Sequence, residues 1–294
     1  MDNSKSRKFE LLLITLITAR STSFVFSKII LEGMGTFNLL AVRFLMAFVI
    51  LAILFSKRLF RSNRKTIVAG LITGVAYFFV MSSELKALTT APSSVVALLE
   101  NSAIFIVPIF EAVLKKRLPS RMTSVCALLG TVGVLCLFFD SGRITGGMLW
   151  GLLCAILYSV AIIVIDRVVK DVDDALCVGI IEVGTMGILS LLASFAVEDT
   201  HLPSTIGIWG MIAYLAIVCT GFGFTLQPVA QKYVSSERTG LFCAVEPAVA
   251  TLLGVVILSE KIGLLSVLGF VLIILCIILP YIKFSKKEEK KYEL

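Results

Sequence analysis

Long apolar stretches, separated at fairly regular intervals by short polar loops, constrain this chain more than any other feature of its sequence. A helix needs roughly 20 mainly apolar residues to cross a bilayer, so the 294 residues have room for about ten such helices with short loops. The chain is 58% hydrophobic and 16% charged, whereas soluble domains carry about 45–50% apolar and about 25% charged residues. The stretches also far exceed the roughly ten-residue strands of a membrane barrel. We therefore predict an all-α, polytopic membrane protein.

The predicted helices form two groups of five. The first group covers residues 9–31, 37–56, 67–85, 93–113 and 122–139. The second group covers residues 148–165, 175–197, 206–229, 239–258 and 264–282. These groups predict a first repeat at 1–142, a second repeat at 143–283 and a charged tail at 284–294.

The basic residues predict the orientation of the chain, because short cytoplasmic loops are enriched in Lys and Arg. When loops are assigned alternately to the two sides, one side receives nearly all of the loop and tail basic residues, and the other receives only Lys86, Arg143 and Lys261. We expect both termini to be cytoplasmic, in a multi-pass protein of the plasma membrane. The net charge of +7 then reflects topology and contact with anionic lipid headgroups, and we expect no nucleic-acid partner.

No sequence motif points to an enzyme. The seven cysteines lie inside apolar spans without a C-x-x-C pair, which is typical of packing residues. His201, the single histidine, lies in a predicted loop. The chain has no nucleophile motif, phosphate-binding glycine loop or zinc-protease helix. We predict no catalytic residues, no metal and no cofactor.

The two halves share an internal repeat. Lys116-Arg117-Leu118 joins predicted helices four and five, and Glu260-Lys261-Ile262 joins helices nine and ten, with Gly130 and Gly269 in the helices that follow. Because each half contains an odd number of helices, the halves must cross the membrane in opposite senses. Such inverted repeats support alternating access to a site near the midplane.

Several motifs resemble the ten-helix EamA branch of the drug/metabolite transporter superfamily. The strongest are QPVAQKY at 227–233, AVEPAVATLLG at 244–254 and LSEK at 258–261, and weaker matches are AVRFL at 41–45 and NSAIFIVP at 101–108. The resemblance covers nearly the whole chain. It implies secondary transport, often outward, of small polar organic molecules such as amino acids.

The chain also departs from this family pattern at two places. Ala19-Arg20-Ser21 stands where relatives often carry a tryptophan-glycine pair, and Ile104 stands where a proline is common. We interpret Arg20 as a feature of this member's own substrate.

Charged residues inside the spans are the first candidates for a binding site. A charge at mid-bilayer costs at least about 2.5–3.5 kcal/mol, so it normally faces the bundle interior or a wet cavity. Arg20 can hold a substrate carboxylate, and Glu100 or Glu246 can hold an ammonium group or a coupling proton. Alternatively, these charges pair with each other and lock helices together. We assign that structural role to Arg43, which can pair with a neighbouring acid, and to Glu182.

Aromatic and amide side chains are further candidates. Tyr77, Tyr158 and Tyr214, together with Asn101, can form a cavity wall that binds an apolar body with a polar tip. Interfacial anchoring is the alternative for at least one of the tyrosines.

Two amides and three prolines complete the candidates. Gln227 and Gln231 lie on one helical face at i and i+4, where they can bind a substrate or a neighbouring helix. Pro108, Pro228 and Pro247 each remove a backbone donor inside a span. We assign them to helix kinks and gating, although the freed carbonyls can also serve a ligand.

The combined hypothesis is an alternating-access exporter of a small zwitterionic or anionic metabolite, driven by protons or by the substrate's own gradient. The alternative is a non-transporting sensor or assembly subunit whose buried charges only pack helices. Convergence of the charges on one cavity favours transport, and scatter into isolated pairs favours the alternative. Substrate identity, direction, coupling ion and oligomeric state are open at this stage.

Overall fold

The structure is a computed structural model, and every regular element that it describes is a helix. It describes residues 11, 15–114, 116, 118, 121–140, 145–169, 172–231, 245–275 and 279. Within these ranges, the side chains at positions 104, 123, 138, 227, 228, 230, 231 and 245 are not described.

The described part of the first half contains seven named helices, preceded by helical residues 15–21. They are α1 (Ser23–Ile30), α2 (Thr36–Leu54), α3 (Ser56–Leu59), α4 (Arg64–Leu88), α5 (Ser93–Asn101), α6 (Ala103–Leu114) and α7 (Arg121–Asp140). The described part of the second half contains α8 (Gly146–Val169), α9 (Ala175–Val197), α10 (Ile206–Tyr214), a π-helical segment (Leu215–Phe222), α11 (Gly223–Gln231), α12 (Val245–Leu258) and α13 (Leu264–Leu275).

Six helical stretches in the described residues are long and apolar enough to cross a membrane. They are Thr36–Leu54, Arg64–Leu88, Ser93–Leu114, Gly146–Val169, Ala175–Val197 and Ile206–Leu226. Shorter apolar helices lie at Ser124–Leu137, Glu246–Leu258 and Leu264–Leu275. The predicted polytopic all-α fold is confirmed.

Burial in this bundle is reversed relative to a soluble protein. Large apolar side chains such as Leu54, Leu192 and Phe195 are more than 60% exposed, whereas Arg43 and Glu100 are at most 1% exposed. A lipid-facing surface has to be apolar, and charged groups have to face inward. The polar centre of the molecule is therefore where a site has to be sought.

Small residues allow the helices to approach closely. A Cβ atom on Gly133 of α7 would lie 2.9 Å from the Gly269 carbonyl oxygen of α13, and one on Gly269 would lie 2.6 Å from the Gly133 carbonyl. These two helices end their respective predicted repeats. They therefore cross backbone to backbone at a point where only glycine fits.

Two predicted spans are interrupted near the centre. The fourth span breaks at Ser102, between α5 and α6, and Pro108 lies inside α6. The eighth span changes from α-helix to the π-helical segment and back. The sequence predicts continuous helices here. Local breaks and π-helical turns often occur at binding sites, because they turn backbone and side chains away from the regular spiral.

Candidate functional site

Arg20 lies at the centre of a buried charge cluster. Its Nη2 atom lies 3.6 Å from Glu100 Oε1, and its Nε atom lies 3.4 Å from Glu246 Oε1. The guanidinium carbon also lies 5.0 Å from the centroid of the Phe224 ring, in cation–π geometry. One guanidinium thus lies within ion-pair distance of two carboxylates from different helices.

The local fold explains how these groups meet. Arg20 precedes α1, Glu100 lies in the last turn of α5 just before the break, and Glu246 lies in the first turn of α12. The positive end of the α12 dipole stabilises the Glu246 carboxylate. Gly223 leaves room for Arg20, since a Cβ atom there would lie 3.3 Å from the arginine's Cγ and Cδ atoms.

Asn101 joins the cluster through Glu246. Its Nδ2 atom donates to the Ala97 carbonyl at 3.0 Å and lies 3.4 Å from Glu246 Oε2. Its Oδ1 atom is buried and accepts no hydrogen bond from the described residues. The amide therefore orients one carboxylate and keeps one acceptor free.

Arg43 is a second buried arginine close to this cluster, and it is fully buried. Its Nε donates to Thr220 Oγ1 at 2.8 Å, and its Nη1 and Nη2 atoms have no hydrogen-bond partner among the described residues. Among the described residues no carboxylate lies within ion-pair distance of Arg43, so its predicted pairing with a neighbouring acid is not seen there. The π-helical segment instead presents a threonine hydroxyl to it.

Glu84 belongs to the cluster although the sequence analysis does not select it. It is 2% exposed, and it lines the same space as Arg20, Arg43 and Glu246. The third predicted span ends at residue 85, which places Glu84 at a membrane interface, but helix α4 continues to Leu88. The sequence analysis missed Glu84 because it ended the helix one turn too early; the extra turn places Glu84 inside the bundle.

Arg20, Arg43, Glu84 and Glu246 line a narrow space of about 190 Å³, here called the closed space, which is nowhere wide enough to hold a water molecule. Its walls are Arg20, Ser23, Phe24, Arg43, Met81, Glu84, Phe224 and Glu246. Charged groups and apolar surfaces thus face one another across it. The closed space is too narrow for a substrate, so binding there requires the helices that line it to separate.

The predicted tyrosines divide into two groups. The Tyr77 ring meets Phe224 edge to face at a centroid distance of 5.2 Å, and the Tyr158 ring lies 6.2 Å from that of Tyr77. Both extend the aromatic wall next to Arg20. Tyr214 instead has its hydroxyl 3.1 Å from Thr22 Oγ1, and it does not line the closed space.

Other candidates lie apart from the cluster. Glu182 lies on α9, which packs against α4, and it is 1% exposed. The side chains of Gln227, Pro228 and Gln231 lie outside the described residues.

The two described prolines differ in position. Pro108 lies inside α6, where its missing N–H leaves the Ile104 carbonyl without its usual helical donor. Pro247 is buried in the first turn of α12, whose described part begins at Val245. A proline is tolerated in the first turn of a helix, so the kink that we assign to Pro247 has no counterpart in the described part.

A polar network closes one end of the bundle. Glu260 accepts hydrogen bonds from the Ser93 and Ser94 backbone amides, at 2.6 and 3.2 Å, and from Ser94 Oγ at 2.7 Å. Lys28 Nζ lies 3.5 Å from Glu260 Oε1 and donates to the Ala91 carbonyl at 2.6 Å. We name Lys28, Ala91, Ser93, Ser94 and Glu260 the Glu260 latch, since they tie α1 and α5 to the loop after α12.

Gly254 and the pKa of Glu260 both favour a closed latch. A Cβ atom on Gly254 would lie 2.6 Å from Glu260 Oε2 and 2.8 Å from Ser93 Oγ, so a larger residue there would displace the Glu260 carboxylate. Burial alone raises the pKa of Glu260, but the hydrogen bonds from Ser93 and Ser94 outweigh it and hold the pKa below its ordinary value. The carboxylate therefore stays ionised at neutral pH, and its contribution is lost only as the pH falls through that lowered pKa.

The opposite end carries an open cleft of about 340 Å³ lined by basic side chains. There Arg58 pairs with Asp174 at 2.5 Å, and Asp174 also caps α9. Burial raises the pKa of Asp174, but the hydrogen bonds from Arg58 and Cys177 hold it below its ordinary value. Because Arg58 is more than half exposed, this pair contributes little to stability.

Within the described residues no group of His, Cys, Asp and Glu has the arrangement of a metal site. The described cysteines, at 126, 136, 154, 177 and 219, are all free thiols, and Cys243 and Cys276 lie outside the described residues. His201 lies in a loop, and its carbonyl accepts a hydrogen bond from Asn38 Nδ2 at 2.9 Å.

Apolar helices around a closed, charged centre define a multi-pass membrane protein of the kind that moves polar solutes. The sequence comparison agrees: the model of the EamA-like transporter family matches residues 7–139 and 145–282. The chain belongs to this family, and the protein is a membrane transporter.

Individual relatives give the same coarse picture. A protein of Clostridium kluyveri is 23% identical over 69% of this chain and 67% of its own length, and one of Archaeoglobus fulgidus is 23% identical over 69% and 73%. Each is named an uncharacterized transporter. A solved protein structure superposes with a TM-score of 0.69 at 20% identity, over 96% of this chain and 99% of that one. That last likeness concerns the fold alone.

Proposed function

We propose that this protein is a secondary-active exporter of small polar organic metabolites, amino acids or related compounds, in the plasma membrane. The observation that carries the proposal is the convergence of Glu100 and Glu246 on Arg20, which lines the closed space. In the described part of the chain, five of the six buried charged residues belong to this cluster and only Glu182 lies apart. Charges that served only to pack helices would have no reason to converge.

The geometry supports recognition of a substrate with both a carboxylate and an ammonium group. In the substrate-free site, Glu100 and Glu246 neutralise Arg20. A substrate carboxylate would replace them with a forked pair of hydrogen bonds to the guanidinium. The released Glu246 carboxylate would then bind the ammonium group. Phe24, Met81 and Phe224 would contact the apolar part of the substrate.

The mechanism that we propose is alternating access by rocking of two inverted repeats, 1–142 and 143–283, with both termini and the 284–294 tail in the cytoplasm. The driving force is a proton gradient or the substrate's own gradient. Closure by the Glu260 latch at one end supports this mechanism, because a site between rocking halves needs a barrier that can open. The glycine crossing of α7 and α13 supports it as well, since it gives the halves a compact pivot.

The test is counterflow in proteoliposomes loaded with a mixed panel of amino acids and metabolites. We expect exchange of particular solutes by the wild type, loss of exchange in Arg20→Ala and Glu246→Gln, and exchange at a raised half-saturation concentration in Arg20→Lys, which keeps the charge without the fork.

Glu182→Gln is the matched control, because it neutralises a buried carboxyl outside the cluster, and protein-free liposomes set the background. Size-exclusion profiles of each variant establish that it is folded. Wild-type protein that exchanges no solute above background would contradict the proposal and favour a non-transporting sensor or assembly subunit.

A further inference from the structure

The carboxyl pair formed by Glu84 and Glu100 is a feature that substrate binding at Arg20 does not use. Glu84 Oε1 and Glu100 Oε2 are buried and accept no hydrogen bond from the described residues. Both groups nevertheless lie next to Arg20, since Glu100 Oε1 is 3.6 Å from Arg20 Nη2 and Glu84 lines the same closed space as Arg20. Two ionised carboxylates that share a buried site repel each other strongly, and such pairs commonly hold one proton between them.

The charge balance of the cluster independently indicates one bound proton. Its described members are two arginines and three carboxyl groups, all buried: Arg20, Arg43, Glu84, Glu100 and Glu246. Glu246 and Glu100 each lie within ion-pair distance of Arg20, and Glu84 lines the same closed space as Arg43. With every group ionised, the net charge of the dry centre would be −1. One bound proton makes it neutral, which a membrane interior strongly favours.

The surroundings offer no better place for that proton. The ionisable groups around the pair and its neighbour Arg20 come from five elements: Arg20 before α1, Arg43 on α2, Tyr77 on α4, Cys154 and Tyr158 on α8, and Glu246 on α12. Glu246 lies next to Arg20 and near the amide of Asn101, both of which donate to an ionised carboxylate. The tyrosines and the cysteine are neutral at physiological pH.

We propose that Glu84 and Glu100 share one proton in the substrate-free site, and that the transporter exchanges this proton for one positive charge on its substrate. The inference rests on the proposed function and names its coupling and its preferred substrate class. The O–H bond of the pair breaks, the proton passes to water at whichever face is open, and an ammonium group takes its place between the two carboxylates. The charge of the site is unchanged by this exchange.

The charge balance of the site predicts that basic and zwitterionic amino acids differ in their coupling to protons. A basic amino acid places its carboxylate on Arg20, its α-ammonium on Glu246 and its second ammonium on the Glu84–Glu100 pair, and thus displaces the proton. A zwitterion adds no net charge, so the site stays neutral only if the proton remains. Basic amino acids are therefore exchanged against protons, whereas zwitterions move without proton coupling.

Infrared difference spectroscopy on the purified full-length protein tests the shared proton without any substrate. The wild type should show the carbonyl band of one protonated carboxyl group at neutral pH, and this band should disappear as the pH is raised. Glu84→Gln and Glu100→Gln should each remove the same band, because either change leaves a single carboxylate beside an arginine. Glu182→Gln must leave it in place. A band that persists in both single variants overturns the proposal.

Transport of L-lysine and L-leucine tests the coupling. Into proteoliposomes with an acidic interior and a clamped membrane potential, the wild type should accumulate L-lysine against its gradient but should not accumulate L-leucine. Glu84→Gln should lose the pH-driven accumulation of L-lysine and raise the half-saturation concentration of L-lysine in counterflow, because Glu84 contacts its second ammonium group, and Glu182→Gln, which lies outside the cluster, should keep both activities. Leucine counterflow without pH-driven lysine accumulation overturns the coupling and leaves the proposed function standing. Absence of all counterflow contradicts the proposed function, while the infrared band still decides whether the proton is shared.

Discussion

At the scale of single residues, Thr220 is the hydrogen-bond partner that the structure gives to Arg43 Nε. A buried hydrogen bond to a charged group contributes about 1.5–3 kcal/mol. We expect Thr220→Val to lower the free energy of unfolding in detergent by about this amount, because valine has a similar shape and leaves the buried guanidinium without its acceptor. Chemical denaturation followed by circular dichroism measures the change.

Thr131→Val is the matched control for this substitution. The Thr131 hydroxyl also takes part in a hydrogen bond, which it donates to the Ala127 carbonyl, but it lies on the exposed surface of α7. We expect its effect to stay within about 0.5 kcal/mol. Equal losses in the two variants would mean that Arg43 gains nothing from Thr220.

The candidate site shows what a sequence reveals about single residues. The depth of Arg20, Glu100 and Glu246 within apolar spans predicts that they are buried, because a charge cannot face lipid cheaply. It does not predict which of them meet, since contact depends on helix rotation. Glu84 was missed for a related reason: one additional helical turn carries it from a predicted interface into the centre.

At the scale of secondary-structure elements, the Glu260 latch caps the N-terminus of α5 with a carboxylate from the other half of the chain. A lost N-terminal cap costs about 0.5–2 kcal/mol, and Glu260→Gln also removes the charge opposite Lys28. We expect the latched end to open more often in this variant. A cysteine introduced at Ser23, which lines the closed space, should then react several-fold faster with a membrane-impermeant maleimide.

Asp140→Asn is the control, because Asp140 makes an equivalent cap at the same end of the bundle but does not belong to the Glu260 latch. It accepts hydrogen bonds from the Leu265 amide at 3.2 Å and the Ser266 hydroxyl at 2.6 Å. Its loss should leave the labelling rate at Ser23→Cys unchanged. If both variants accelerate labelling equally, general loosening rather than the latch governs access.

Helix boundaries and helix breaks were not equally predictable. Apolar runs mark α2, α4 and α9 well, because lipid imposes a minimum length of apolar sequence on each span. The break at Ser102 and the π-helical segment have no comparable signal. They arise from tertiary contacts such as those of Glu100 and Thr220, which a single-chain pattern does not contain.

At the scale of the whole molecule, the loop contacts sort into two ends that agree with the predicted alternation. Arg58, Asn63, Asp173 and Asp174 meet at the basic end. The Glu260 latch lies at the other end, where the Asn38 amide also bonds to a loop after α9. With one helix more or one fewer between these loops, the loops in contact would lie on opposite sides of the membrane.

The orientation of these ends in the membrane follows from the positive-inside rule. We expect Ser62→Cys, next to the basic cleft, to react with a membrane-impermeant maleimide only after cells are permeabilised, and His201→Cys, in the loop after α9, to react in intact cells. Both substitutions keep every loop lysine and arginine, so the topological signal is unchanged. The parent protein, labelled in parallel, accounts for its native cysteines. Labelling of Ser62→Cys alone in intact cells would mean that the chain is inserted the other way round, with the Glu260 latch facing the cytoplasm.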